Sequence, residues 1–227
     1  MIPSARLLVV IPTFRAAATI GSVVTAARRV VPNVMVIDDG SDDGSGDVAR
    51  GAGATVIRFE LNQGKGRALQ VGFAQATRSG ASAVVTIDAD GQHDPAEIPR
   101  LVTCWEATGA SLVIGARSRG REGMTASRRF GNRFADRAIS FFAGAPVPDT
   151  QSGFRLYDAA LLASVRLRGS GYELESEVIV KAVRSGLRVA SIEVRSPRVD
   201  GTTTSHFRPW ADTARICWAV VASRLRS

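Results

Sequence analysis

The sequence has no long hydrophobic run. No segment approaches the roughly 18 consecutive apolar residues that a membrane-spanning helix needs, although apolar residues make up 45% of the 227-residue chain, as in globular proteins. The first residues, MIPSARLLVVIP, are too short and too interrupted by proline for a secretory signal. We therefore expect a cytoplasmic protein, and its length suits a single large domain with a substantial core.

Cysteine and lysine are also scarce. The two cysteines, Cys104 and Cys217, lie too far apart for a metal spacing or a disulfide framework, so buried free thiols are expected. The 29 basic residues include only two lysines, Lys65 and Lys181, and the net charge is +8. This charge would suit nucleic acid, but its clusters lack the interleaved aromatic residues of a single-strand-binding surface. We therefore expect no nucleic-acid partner.

What the chain does contain is a regular alternation of two patterns. Runs rich in apolar and β-branched residues predict strands at 6–12, 33–38, 55–59, 83–87 and 111–117. Stretches with helical periodicity predict helices at 19–30, 45–53, 65–80 and 95–109. This alternation favours a single Rossmann-like α/β domain with a mainly parallel sheet and helices on both faces. Ligands of such sheets bind beyond the carboxyl ends of the strands.

Acidic residues directly follow the fourth predicted strand, in the stretch TIDADGQHDP. Alternate side chains of an extended segment point the same way, so Asp88 and Asp90 would project together, with Gln92 close behind. Oxygen ligands of this kind suit Mg²⁺ or Mn²⁺, and such an ion would relieve the repulsion between two carboxylates. The alternative is a simple strand-to-helix turn, which does explain Asp94 and Pro95 as a helix cap and the first helical residue.

Two other loops at predicted strand ends are polar. The second strand runs into DDGSDDGSGD, whose paired acids Asp38 and Asp39 are also explained by turn geometry. The loop ELNQGKGRAL has glycines that permit close backbone approach, and its Lys65 could meet a phosphate. The loop has neither the P-loop spacing nor the complete dinucleotide-binding pattern, so neither kind of site is expected.

Six motifs, in this order, resemble those of the family 2 glycosyltransferases: IPTF, VIDDGSDDGS, NQGKGRAL, DADGQHDP, GAR and DTQSGFRLY. The resemblance runs from about Leu7 to about Arg208, and it is strongest to the branch that moves a sugar from a nucleotide diphosphate to a polyprenyl phosphate. It implies a GT-A fold, a catalytic domain at 1–208 and an inverting, metal-dependent transfer. A lipid acceptor would also place the protein peripherally at the inner face of the membrane.

On the donor side, the resemblance implies a pocket for the base and ribose. The residues expected to line the base pocket are Pro12, Thr13 and Phe14. Asp38 or Asp39 would hydrogen-bond the base or the ribose. Phe14 stands where the family usually has tyrosine, so ring stacking would be retained without the hydroxyl group.

The resemblance also assigns residues to the donor phosphates. Those expected to hold the metal ion and the phosphates are Asp88, Asp90 and Gln92. Lys65 would assist at the donor, and Arg198 would approach the pyrophosphate. His93 would either hydrogen-bond beside the metal ligands or bind the ion directly. Arg15 and Ala16 replace an asparagine and an acidic residue of the family pattern, so the identity of the base is not defined.

Arginines crowd the segment between residues 117 and 137, where a solvated helix face is one explanation. The resemblance implies that Arg117 and Arg128, with Asn132 one helical turn further on, hold the acceptor phosphate. A phosphate monoester is largely dianionic near neutral pH and attacks without a base. A saccharide or small-molecule hydroxyl is the alternative acceptor. It would need a general base, and Asp149 is the best candidate, ahead of the first two glutamates of YELESE.

The last residues, 209–227, have apolar side chains at helical spacing, with arginines elsewhere. This pattern predicts an amphipathic helix that belongs to the same domain. Such a helix usually packs on the core. Tryptophan together with arginine also suits a helix that lies on an anionic membrane, where a lipid acceptor would be found.

Overall fold

The structure, a computed structural model, describes residues 6–117, 136, 137, 139–141, 144, 147 and 149–195. The strands are β1 Leu7–Thr13, β2 Val34–Asp38, β3 Thr55–Arg58, β4 Ala83–Thr86, β5 Leu112–Arg117, β6 Arg155–Asp158 and β7 Val189–Val194. The helices are α1 Ala17–Arg28, α2 Ser45–Gly51, α3 Lys65–Arg78, α4 Ile98–Thr108, α5 Ala159–Ser164 and α6 Glu173–Arg184. Each of the five predicted strands is found, with bounds within one residue of those expected.

The strands form one seven-stranded sheet in the order β3-β2-β1-β4-β6-β5-β7. The first four of these strands are parallel, β6 runs antiparallel to both β4 and β5, and β5 is parallel to β7. The predicted fold class is therefore confirmed as a single α/β domain with a mostly parallel sheet. The sequence did not predict β6 because its four residues include the fully buried Arg155, which breaks the apolar pattern of a strand.

Apolar side chains cover both faces of the sheet. Along β1, Val9 and Ile11 belong to one buried cluster, whereas Leu8 and Val10 belong to another, as the alternation of a strand requires. Helices α1, α2 and α4 contribute to the first cluster, and α3, α5 and α6 contribute to the second. The helices therefore lie on both faces as predicted, and each fully buried aliphatic side chain contributes about 1.5–3 kcal/mol.

The parallel half of the sheet brings three loops together at one edge. Thr13 at the end of β1 is in register with Asp38 at the end of β2. Strand β4 ends at Thr86, beside Val10, and Ile87 donates to the carbonyl oxygen of Val10 (3.3 Å) as the chain continues along β1. The loops that follow β1, β2 and β4 therefore meet above the carboxyl ends of their strands.

The loop after β4 ends as predicted. Asp94 caps a short 3-10 turn, Pro95–Glu97, by accepting from the backbone N–H of Ala96 (2.9 Å), and α4 follows.

No helix within the described residues is long and apolar enough to cross a membrane. The predicted helix at 209–227 lies outside the described residues.

Candidate active site

A cavity of about 370 Å³ opens at the edge where the three loops meet. Its walls come from the end of β1, the start of α3, the loop after β4 and the loop before α6. The lining residues are Pro12, Thr13, Phe14, Arg15, Ala16, Asp39, Asn62, Gly64, Lys65, Ala68, Asp88, Ala89, Asp90 and Tyr172. The cavity therefore joins an apolar and aromatic wall to three carboxylates, an ammonium group and a guanidinium group.

The two acids after β2 occupy different positions. Asp39 lines the cavity, and its carboxylate accepts from the backbone N–H groups of Gln63 (2.7 Å) and Gly64 (2.9 Å). Burial raises the pKa of Asp39 in spite of these two bonds. Asp38 is fully buried behind the cavity, where it accepts from the backbone N–H of Ser41 (3.0 Å). Of the two residues, only Asp39 is placed to contact a ligand in this cavity.

The loop after β4 presents Asp88 and Asp90 to the cavity. The ammonium group of Lys65 lies 2.7 Å from Asp88 Oδ1 and 2.9 Å from Glu175 Oε2. Burial alone would raise the pKa of Asp88, but the charge of Lys65 lowers it. Burial and then the charge of Asp88 raise the pKa of Asp90, whose Oδ1 accepts from the N–H of Gln92 (3.0 Å). Burial and the charge of Asp88 therefore make the ionised form of Asp90 unfavourable in free energy.

These residues fit a hard divalent cation. Burial and then the neighbouring charge of Asp88 raise the pKa of Asp90, and a cation between the two carboxylates would offset both effects. No three His, Cys, Asp or Glu side chains form a metal-binding group among the described residues. An ion held by Asp88 and Asp90 would therefore complete its shell with oxygens from Gln92, water or substrate phosphate, as Mg²⁺ commonly does.

His93 lies behind this acid cluster. Its ring is buried and packs on Phe154, with 5.4 Å between the ring centroids. Burial lowers the pKa of His93 to about 4, so the imidazole is neutral at physiological pH. Nδ1 is buried and has no hydrogen-bond partner within the described ranges. This position agrees with a supporting role behind the carboxylates better than with a role as a base.

Two further contacts hold the acid loop in place. The hydroxyl group of Thr19, on α1, donates to the carbonyl oxygen of Ala89 (2.6 Å), between the two acids. On the other side, a Cβ atom at Gly153 would clash with the carboxylate of Asp88, so only glycine permits this approach. The geometry of the acids thus depends on segments more than 60 residues away in each direction.

Arg117 and Asp149 form a paired unit beside the acid cluster. Asp149 accepts from the backbone N–H (2.9 Å), Nε (3.1 Å) and Nη2 (2.9 Å) of Arg117, so both of its carboxylate oxygens are occupied. Burial would lower the pKa of Arg117, but Asp149 raises it, and the charges of Asp88 and Asp90 raise it further. Arg117 thus lies near both acids. The other predicted phosphate ligands, Arg128, Asn132 and Arg198, lie outside the described residues.

Two residues at the start of α6 were not assigned to the donor site from sequence. Tyr172 lines the cavity, with Lys65 Nζ 5.7 Å from its ring centroid, and Glu175 pairs with Lys65. Glu175 was a minor candidate for a base only. The stretch YELESE has three glutamates at alternate positions. Glu173 and Glu177 accept instead from backbone N–H groups of the loop at 168–171, and Glu177 also pairs with Lys181. Sequence alone gave no signal to separate the three.

The chain was compared with known proteins. Residues 8–166 match the family described as Glycosyl transferase family 2. The chain is 31% identical over 219 residues to the dolichyl-phosphate hexose transferase of Haloferax volcanii, across 95% of this chain and 92% of that protein. It is 30% identical over 208 residues to the polyprenol monophosphomannose synthase of Mycolicibacterium smegmatis, across 85% of this chain and 77% of that protein.

A solved structure shares the fold. Glucosyl-3-phosphoglycerate synthase from Mycobacterium tuberculosis, in complex with Mn²⁺, UDP-glucose and phosphoglyceric acid, is similar with a TM-score of 0.75 and 24% identity, across 96% of this chain and 79% of that chain. The fold is thus that of the GT-A glycosyltransferases. The chain belongs to glycosyltransferase family 2 and is an enzyme of that family. The predicted resemblance to the polyprenyl-phosphate branch is confirmed by these relatives.

Proposed function

We propose that the enzyme transfers a sugar from a nucleotide-diphosphate sugar to a polyprenyl phosphate, with a divalent metal ion and with inversion at the anomeric carbon. One observation carries the proposal. One cavity is lined both by the residues at the end of β1, Pro12, Thr13 and Phe14, and by the carboxylates of Asp88 and Asp90. A nucleoside diphosphate has the matching arrangement, with a flat base at one end and phosphate groups at the other.

On the donor side, the base would stack on Phe14, with Pro12 and Thr13 beside it, and Asp39 would accept a hydrogen bond from the ribose. The residues that would hold Mg²⁺ or Mn²⁺ are Asp88, Asp90 and Gln92. A bound ion supplies Lewis-acid stabilisation of the charge on the departing nucleoside diphosphate. Lys65 adds a positive charge at the same wall of the cavity, and Arg198 is proposed to reach the pyrophosphate.

On the acceptor side, Arg117 and Arg128 would bind the phosphate. Arg117 contacts Asp149 through Nε and Nη2, which leaves Nη1 for an anion, and the rigid pair fixes its guanidinium group near the acid cluster. A dianionic phosphate needs no general base. This suits the site, because an aspartate with both oxygens bound to an arginine is a poor proton acceptor.

A direct attack by the acceptor phosphate on the anomeric carbon accounts for inversion. The new bond forms between a phosphate oxygen and the anomeric carbon, and the bond to the nucleoside diphosphate breaks. The electron pair of that bond leaves with the diphosphate. The products are a nucleoside diphosphate and a polyprenyl-phosphate sugar. No protein nucleophile is required for this displacement.

A second candidate is transfer to a small-molecule or saccharide hydroxyl. The observation that favours it is the fold likeness to a synthase whose structure holds phosphoglyceric acid. This chemistry would need a general base, and Asp149 is the candidate that the sequence suggested. Asp149 would then have to separate from Arg117, since both of its oxygens are occupied.

We further propose that the enzyme is cytoplasmic and peripheral at the inner face of the membrane. A lipid acceptor supports this location, because its phosphate must reach a cavity in the protein while its chain stays in the bilayer. The catalytic domain would be residues 1–208. The segment 209–227 would follow as an amphipathic helix that either packs on the domain or lies on the membrane.

The first experiment identifies the donor. UDP- and GDP-sugars are screened for thermal stabilisation of the protein with and without Mn²⁺, because a ligand that binds the native state raises its stability by RT ln(1 + [L]/Kd). We expect stabilisation that requires the metal. Stabilisation that is the same after chelation of divalent ions would contradict metal-dependent donor binding.

The second experiment identifies the acceptor. Release of nucleoside diphosphate is measured with a short-chain polyprenyl phosphate, phosphoglyceric acid and simple sugars, for the wild type, Arg117→Ala and Asp149→Asn. We expect turnover with the lipid phosphate, a raised KM and a lowered kcat for Arg117→Ala, and substantial activity for Asp149→Asn. Turnover only with a hydroxyl compound, together with a loss of about 10²-fold or more for Asp149→Asn, would support the second candidate.

The product of the same reaction reports the stereochemistry. NMR of the anomeric proton should show the configuration opposite to that of the donor. Retained configuration, or a trapped glycosyl-enzyme, would rule out the single displacement.

A further inference from the structure

The position of Lys65 poses a problem for the proposed metal site. Its ammonium group bridges Asp88 Oδ1 (2.7 Å) and Glu175 Oε2 (2.9 Å), and its side chain is only 17% exposed. Asp88 is one of the two carboxylates proposed to hold the metal ion. An ammonium group and a divalent ion that share one carboxylate at close range repel each other, so they compete for Asp88.

We infer that Lys65 is a resident counter-cation that the divalent ion displaces from Asp88, and that Glu175 is the positioning residue that keeps Lys65 in the cavity after this exchange. The inference rests on the proposed metal-dependent donor site. It assigns Glu175 a role in metal and donor binding, and gives it no part in proton transfer.

Charge counting supports the exchange. In their ionised forms, Asp88, Asp90 and Glu175 carry three negative charges and Lys65 carries one positive charge. The four groups therefore have a net charge of −2, which a single divalent ion neutralises. Without Glu175, the same set would reach +1 when the ion binds, and Lys65 would have no carboxylate once Asp88 turned to the ion. Glu175 thus makes the loaded site electrically balanced before the donor phosphates enter.

The backbone around Glu175 is held firmly. Its carbonyl oxygen accepts from Arg155 Nη1 (2.6 Å), and its side chain is 7% exposed. The neighbouring loop is tied to α6 because Glu173 accepts from the N–H groups of Ser170 (2.9 Å) and Gly171 (2.8 Å). Glu175 therefore remains in place while the flexible four-carbon side chain of Lys65 moves.

Lys65 has a short path between its two positions. It is the first residue of α3, and the preceding Gly64 is held by Asp39 through its backbone N–H (2.9 Å). The aromatic ring of Tyr172 lies beside the ammonium group, at 5.7 Å from Nζ, and offers a favourable surface for the cation. A rotation of the lysine side chain then moves the ammonium group from Asp88 to a donor phosphate. The ammonium group keeps its contact with Glu175 during this movement.

The test is the affinity for Mn²⁺ alone, measured from the electron paramagnetic resonance signal of free Mn²⁺ in the absence of nucleotide. We expect Lys65→Met to bind Mn²⁺ about tenfold more tightly than the wild type, because its competitor is gone. We expect Glu175→Gln to bind Mn²⁺ about tenfold more weakly, because Lys65 then stays on Asp88. Such factors are usual for coupling between two sites.

A nucleoside diphosphate provides the second readout. With Mn²⁺ present, Lys65→Met should bind UDP or GDP, whichever the wild type prefers, about tenfold more weakly, since a cation at the phosphates is lost. Opposite changes in Mn²⁺ affinity and nucleotide affinity are the signature of a counter-cation. A residue with a merely structural role would weaken both.

The matched controls are Lys181→Met and Glu193→Gln, which make the same chemical changes away from the cavity. Circular dichroism checks the fold, and Lys65→Gln replaces Lys65→Met if the latter does not fold. Unchanged or weaker Mn²⁺ binding in the folded Lys65 variant would overturn the inference.

The failure of the proposed function is distinguishable from the failure of this inference. If the wild type binds Mn²⁺ and Asp90→Asn does not, the metal site stands whatever the Lys65 variants show. If the wild type binds Mn²⁺ only with nucleotide, the same comparison is made at saturating nucleotide. No Mn²⁺ binding by the wild type under either condition would overturn both.

Discussion

Asp39 and Asp90, in the parallel half of the sheet, are held differently from Asp149, in the mixed half. In the parallel half, β3-β2-β1-β4, backbone N–H groups of nearby loops hold Asp39 and Asp90, whereas Asp88 pairs with Lys65. In the mixed half, β6-β5-β7, side chains of opposite charge hold each other, as Arg117 and Asp149 do.

The difference matters for function. An aspartate held by an N–H group keeps its charge and part of its oxygen surface for a ligand. An aspartate held by an arginine is neutralised and serves to fix that arginine. The parallel half therefore presents negative charge, which would suit a metal ion, and the mixed half presents a positioned cation, which would suit an anion. We expect substitutions at the cavity to affect activity without much effect on stability. Substitutions of buried residues in the mixed half should affect both activity and stability.

The largest effect on activity is expected at Asp90. Asp90→Asn should reduce transfer by more than about 100-fold, because a charge contact in the transition state is lost, worth several kcal/mol. Its unfolding free energy should not fall, since asparagine can still accept from Gln92 and a charge that is costly in the folded state is removed. The matched control is Asp94→Asn, which keeps its capping role. Steady-state rates and urea denaturation measure both quantities, and more than about a tenth of wild-type activity would contradict the metal assignment.

The largest effect on stability is expected at Arg155. This fully buried side chain donates to the carbonyl oxygens of Ser152 (2.7 Å), Thr150 (2.7 Å) and Glu175 (2.6 Å). Arg155→Met would leave the buried carbonyl groups of Ser152 and Thr150 without this donor, at about 1–3 kcal/mol each, so we expect a loss of at least about 2 kcal/mol. Urea denaturation measures it.

The control for Arg155 is Arg184→Met, at an exposed position in the last turn of α6. It should change the free energy of unfolding by less than about 0.5 kcal/mol. If Arg155→Met cost less than about 1 kcal/mol, the mixed half would not depend on this side chain as the hydrogen bonds indicate.

A substitution at Gly153 joins the two halves, because this residue of the mixed half touches Asp88 of the cavity. In Gly153→Ala the new Cβ atom must displace the carboxylate of Asp88. We expect a loss of about 1–3 kcal/mol in stability from overpacking, and about a tenfold loss in activity, equivalent to about 1.4 kcal/mol. Gly51→Ala, in an open position at the end of α2, should have no such effect. Full activity in Gly153→Ala would show that Asp88 tolerates displacement.

The smallest effect is expected at Thr19, which ties the acid loop to α1. Thr19→Val removes the hydrogen bond to the carbonyl oxygen of Ala89, worth about 1 kcal/mol, and should reduce activity a few-fold. Thr25→Val is the control, because Thr25 bonds only within its own helix, to the carbonyl oxygen of Gly21 (2.8 Å). Equal rates for the two variants would mean that the loop keeps its geometry without this bond.

Much of the parallel half could be predicted from sequence. Its strands are short apolar runs separated by helical periodicity, and both patterns are local in the chain. The acid loop could be located for the same reason, since Asp88 and Asp90 follow β4 directly and ligands bind at such strand ends. The cap at Asp94 is equally local, because the bond spans two residues.

The choice between Asp38 and Asp39 could not be predicted. The two aspartates are adjacent in sequence and chemically identical. Asp38 is nevertheless buried behind the sheet edge, whereas Asp39 faces the cavity. Their orientation depends on the backbone turn and on the loop at 62–64, which supplies the N–H groups for Asp39 from more than 20 residues away. A contact of that range leaves no periodic signal.

The sequence by itself determined the class of fold, the edge of the sheet where the cavity opens and the residue types available there, because strand and helix periodicity and short motifs depend on neighbours in the chain. Only the tertiary structure decided which charges meet. It paired Arg117 with Asp149. It also placed Lys65 between Asp88, which is 23 residues away in sequence, and Glu175, which is 110 residues away. The physical reason is that burial makes an unpaired charge costly, so each group takes the partner that packing brings within reach.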